Sequence, residues 1–189
     1  MASINLYALS LSRLDRAFDE QTIRSSLAPF TQAIGHVKSV IDRAMIQNDE
    51  AYQDFLLDDD LNLIENHLGC AFITCQVFLT AAVSRVKALH ELTRSQGRVP
   101  FKTSTESKRN ILAAAAAPLA GTPYTQMQVI DAFANYFKHR DEWDPRWSKL
   151  DKQSAYTASV IRATWLQARL YRQPADGSDE LGQRLIRRR

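Results

Sequence analysis

The sequence predicts an all-α fold, a compact bundle of about five to seven helices built around one long central helix. Three observations carry that prediction. Apolar residues recur at three- and four-residue intervals in most segments, and no segment shows the strict alternation of a half-buried strand. One apolar stripe persists unusually far, through Ile64, Leu68, Ala71, Cys75, Phe78, Ala82, Val86 and Leu89. The chain of 189 residues, 45% hydrophobic and 24% charged, is long enough to bury a real core and has the composition of a globular protein. Residues 1–175 read as a single helical-bundle domain, and residues 176–189 as a C-terminal extension with a short helix at "LGQRLI" and a basic end.

Taken in order, a first amphipathic helix is expected over about 9–25, with Leu11, Leu14 and Phe18 on one side and charges on the other. Pro29 suits the first turn of a new helix better than the interior of the old one, so a second helix starts there and presents Phe30, Ile34, Val37, Ile41 and Met45. Asp58, Asp59 and Asp60 are candidate N-caps for the long helix, expected over about 61–92. The polar connection "RSQGRVPFKTSTES" follows, and its Ser104 or Thr105 can cap the alanine-rich helix "ESKRNILAAAAAP". "TQMQVIDAFANYFKHRDEW" is the next helix, with Met127, Ile130, Phe133, Ala134 and Phe137 on an apolar face and Pro145 as its stop. "SAYTASVIRATWLQARLYR" is the last substantial helix.

Composition narrows the function classes. The formal net charge of +3 arises from 24 basic and 21 acidic side chains interleaved along the chain, too mild a balance to demand nucleic acid. Cys70 and Cys75 lie five apart, about 140° round a helix, so they cannot bridge each other there, and both are expected free and mostly buried. Two unpaired cysteines and the lack of a secretory leader pattern suit a cytoplasmic location. The longest uncharged run, "GCAFITCQVFLTAAVS", is short and carries Thr, Gln and Ser, so no membrane association is expected. No metal and no cofactor are expected either. Glu65 and His67 are two residues apart and point about 200° away from each other, the cysteines lack zinc-ligand spacing, and no Gly-rich phosphate loop or Gly-x-Ser-x-Gly elbow occurs.

The chemistry concentrates in "ANYFKHRDEW", residues 134–143. Asn135 and His139 are four apart and share a helical face, while Lys138 and Arg140 diverge by about 100° on either side of His139. An amide one turn from an imidazole can orient the ring and select its tautomer, which makes the pair a usable proton-transfer unit. Asparagine is a poor interior helix residue, and its placement hints at a specific partner. The competing reading is a polar helix end, where cations favour the macrodipole. The residues leave both readings open. Because Phe133 and Phe137 occupy one face, burying them would turn Asn135 and His139 outward into an accessible groove.

"ANYFKH" resembles the motif of the HEPN superfamily, small helical domains of prokaryotic toxin, antiphage and RNA-processing proteins. That pattern is an arginine, commonly a polar residue next, and a histidine four to six positions on, near the end of a bundle helix. Asn135 matches the polar position and His139 the histidine, whereas the arginine position is Ala134. The resemblance implies a defence, stress or RNA-processing module that forms a homodimer, with RNA and an antitoxin or other protein as partners. In active members it implies metal-independent RNA cleavage. With alanine in place of arginine, the expectation shifts to a binding or regulatory module. The alternatives are a ribonuclease using His139 with Lys138 or Arg140 as a displaced cation, and a structural helical bundle of another family.

Overall fold

The computed structural model describes residue 12 and residues 19–95, 107–143 and 147–171. Among these it contains six helices: α1 (Glu20–Ile46), α2 (Glu50–Phe55), α3 (Leu57–Ser95), α4 (Lys108–Ala114), α5 (Gln126–His139) and α6 (Lys152–Tyr171), with a 3-10 turn over Arg140–Glu142. They form a compact all-α bundle, and α3, with 39 residues, is its spine. At 1.5 Å per residue α3 is about 58 Å long. The described residues contain no strand, only an isolated antiparallel bridge between Pro118 and Thr125. The extension over 176–189, and most of the first expected helix, lie outside the described residues.

Side-chain caps set most of the helix starts. The Asp19 carboxylate accepts from the Thr22 N–H at 3.1 Å and starts α1, and hydrogen bonds from Thr22 hold that carboxyl below its usual range. The expected break at Pro29 does not occur, because Pro29 lies inside α1. Proline removes one helical N–H there, and the long contact of α1 along α3 carries the helix through. Asn48, with a φ of 52°, makes the left-handed turn out of α1, and Asp49 caps α2 by accepting from Tyr52 N–H at 2.9 Å. Asp58 to Asp60 prove to be first-turn residues of α3, where they favour the positive end of the helix dipole, rather than its caps. Asp60 also accepts from the hydroxyl of buried Tyr52 at 2.6 Å; burial and this carboxylate push the phenol up to about 12. Ser104 and Thr105 fall outside the described residues, and Ser107 is the side chain that caps α4. A capping box of Thr125 and Gln128 opens α5. The buried Thr125 hydroxyl also donates to the Leu112 carbonyl at 2.8 Å, fastening α4 to α5.

α3 is covered on two faces. Gly69, Gln76, Leu79 and Val83 meet α5 or α4. A second buried face, Ala82, Leu89 and Thr93, lies about 100° round the helix, and α1 is the other long neighbour of α3. Cys70 and Val77 are seven apart and opposite both neighbours, so Cys70 is exposed, contrary to the expectation of burial, and Val77 is 65% exposed. Cys75 is half-buried, and burial pushes its thiol up. Both thiols are free. A native-state thiol titration should therefore label Cys70 at least about tenfold faster than Cys75, since Cys70 is exposed while burial both hinders access to Cys75 and pushes its thiol up.

At Gly69 the backbones of α3 and α5 approach closely. An added Cβ would sit 2.8 Å from Cδ1 and 3.0 Å from Cγ of Phe137, whose ring is held beside Phe72 and Tyr136 at centroid distances of 6.1 and 5.3 Å. Gly69→Ala should destabilise by a net ~1 kcal/mol, overpacking exceeding the gain in helix propensity. The same change at Gly35, which has nothing within 4 Å of the added atom, should stabilise by about 1 kcal/mol. Thermal denaturation of the two variants reads the opposite signs.

Beyond that contact, Val129 and Ala132 of α5 pack on Val160 and Ile161 of α6. Trp147 packs against this core and meets Tyr136 and Trp143 at ring centroids of 5.7 and 5.5 Å, so the tryptophans after α5 close the edge of the bundle.

Candidate functional site

The polar residues of α5 are distributed between α3, the side shared with α4 and α6, and solvent. Gln76, in the middle of the apolar spine and only 4% exposed, faces α5 and organises its neighbours. Its amide nitrogen donates to Asp131 Oδ1 at 2.7 Å and to Asn135 Oδ1 at 2.8 Å, and its amide oxygen accepts from Lys138 Nζ. Lys108 Nζ completes the network from α4, 2.6 Å from Asp131 Oδ1. A buried primary amide needs partners on both its oxygen and its nitrogen, and this one has them.

His139 ends α5 on the outside. Its side chain is 51% exposed, with Nδ1 3.3 Å from both carboxylate oxygens of Glu142 in the 3-10 turn. The outward position expected for His139 is thus present, while Asn135 turns its amide oxygen inward to Gln76. Each has its partner on a different element, and among the described residues no hydrogen bond joins them. The two flanking cations also turn to α3. Lys138 reaches Gln76, and Arg140 reaches Glu65 at 2.9 Å and Asn66 at 3.1 Å. Ala134, one position before Asn135, is 0% exposed.

Comparison with protein-family models, curated proteins and solved structures finds no match to this chain.

On the other side of the Gln76 network, α4, α5 and the start of α6 enclose a cleft of about 350 Å³. Gln128, Asp131 and Asn135 form its floor, at positions i, i+3 and i+7 of α5. Lys108, Arg109 and Leu112 make one wall, and Lys152, Gln153, Tyr156 and Thr157 the other. The Arg109 guanidinium lies over the Tyr156 ring, 3.5 Å from its centroid, so the arginine bridges the walls by a cation–π contact. Gln128 Nε2 donates to the Tyr156 hydroxyl at 2.9 Å. Burial pushes the Tyr156 phenol up, so the hydroxyl keeps its proton. Sequence reasoning missed this cleft. The one local signal was Gln76, a polar residue in the apolar run "TCQVF", which required a polar partner if buried.

Proposed function

We propose that the chain is a HEPN-like helical module that acts by binding rather than by cleaving RNA, as part of a prokaryotic defence, stress or RNA-processing system. The observation that carries this reading is the engagement of Lys138 and Arg140 with α3. A metal-independent ribonuclease needs a cation where phosphate charge develops, beside the group that moves protons. Here the superfamily position is the buried Ala134, and the two substitute cations are held by Gln76 and by Glu65 with Asn66. His139 therefore faces solvent with a carboxylate as its neighbour, an arrangement that adds repulsion to an approaching phosphate.

The same reading makes the working form a homodimer in the cytoplasm, with RNA, an antitoxin or another protein as partner. By length and composition α3 could cross a membrane, since an 18-residue window of it has a mean hydropathy of 1.5. Against that use, its middle carries Gln76 hydrogen-bonded to Asp131 and Lys138, charges that are costly at hydrocarbon depth. Fluorescence anisotropy with an end-labelled single-stranded RNA, in chelator, tests the proposal. Saturable binding with the RNA intact afterwards is expected, and shortening of the RNA by the unmodified protein would contradict it.

A further inference from the structure

We propose that the cleft between α4, α5 and α6 is a binding site for a small phosphomonoester, a phosphate dianion carried on a compact polar group such as a sugar. The proposal rests on the cleft alone, and holds whether or not His139 is catalytic.

Its first support is charge. Three cations line the cleft, Lys108, Arg109 and Lys152, against one carboxylate, Asp131. Lys108 is neutralised by Asp131 at 2.6 Å. Among the described residues no ion pair engages Arg109 or Lys152, so two positive charges are left over, the number that a phosphomonoester presents in opposite sign near neutral pH. A phosphodiester carries one.

The second support is the direction of the hydrogen-bonding groups. Asp131 Oδ1 already accepts from Gln76 and Lys108, and Gln128 Oε1 accepts from the Thr125 N–H at 2.9 Å. Asn135 accepts from Gln76 through its oxygen, which leaves its NH2 group to donate. The Tyr156 hydroxyl accepts from Gln128 and still has its own proton to give. The cleft is therefore rich in donors, from Arg109, Lys152, Asn135 and Tyr156, and one oxygen of its single carboxylate, Asp131 Oδ1, is already engaged twice. Such a lining selects a ligand dense in acceptors, and phosphate oxygens are that. The volume of about 350 Å³ lies at the lower end of small-molecule pockets, enough for a phosphate with a sugar-sized group behind it.

Isothermal titration calorimetry of the full chain with ribose 5-phosphate and with inorganic phosphate tests the site, alongside a short single-stranded RNA lacking terminal phosphates as the diester probe. Saturable binding of ribose 5-phosphate is expected, weakened about tenfold or more by Arg109→Gln and by Lys152→Gln, and unchanged by Lys38→Gln on α1. The RNA should not compete. Arg109 also braces Tyr156, so a folding defect in Arg109→Gln would leave Lys152→Gln, at an exposed helix start, to decide. Absence of saturable binding to both phosphates, binding indifferent to Lys152→Gln, or binding of the RNA alone would each overturn the proposal.

Discussion

Ala134→Arg is expected to unfold the protein or leave it a loosely packed, aggregation-prone chain. Ala134 sits on α5 with 0% exposure, so the new side chain has no route to water without displacing α5 from its neighbours. Overpacking costs about 1–3 kcal/mol, and a buried charge with no partner adds roughly 3–5 kcal/mol. Together these rival the whole stability of a small domain, about 5–15 kcal/mol. Far-UV circular dichroism with a thermal melt reads the outcome, and a cooperative transition near that of the parent protein would contradict the packing described here. The consequence reaches function: on this backbone a single exchange cannot place an arginine at position 134 without disturbing the packing.

The second large effect is expected at Gln76→Leu. Leucine has nearly the same volume and helix propensity as glutamine, so the exchange isolates the polar contacts. It strands Asn135 Oδ1, removes one of two donors from Asp131 and releases Lys138 from its buried acceptor. Leaving such groups unpaired costs about 1–3 kcal/mol, roughly 2–12 °C in Tm for a chain of this size. Urea denaturation checks it; a variant as stable as the parent would show that the α3–α5 contact is carried by the apolar residues alone.

The extent to which this fold was legible in the sequence follows from what each signal measures. The long helix was readable because its apolar spacing is local and sustained. Its orientation was not: the stripe through Ile64, Cys75 and Leu89 runs about 100° from the face that meets α5. That face owes its fit to Gly69, where the absence of a side chain admits Phe137, and to Gln76, and neither adds to an apolar stripe. Cys70 was misplaced because the apolar run passes through it, although it lies about 120° off that stripe. Pro29 was read as a boundary from local stereochemistry, and tertiary contact between α1 and α3 overrode it. Asn135 was legible in part. Its awkwardness inside a helix pointed to a specific partner, yet that partner is Gln76, 59 residues earlier, and not the histidine one turn away. The cleft needed three helices at once, bringing Lys108, Asp131 and Lys152 together from positions that no local spacing connects.

The proposal that this protein does not cleave RNA is tested most directly by single-turnover incubation of a labelled RNA with excess protein in chelator, comparing the unmodified chain with His139→Ala. With Lys138 and Arg140 engaged on α3, the two proteins should leave the RNA equally intact. Cleavage by the unmodified chain that disappears in His139→Ala would show that a cation does reach the imidazole, and would contradict the account.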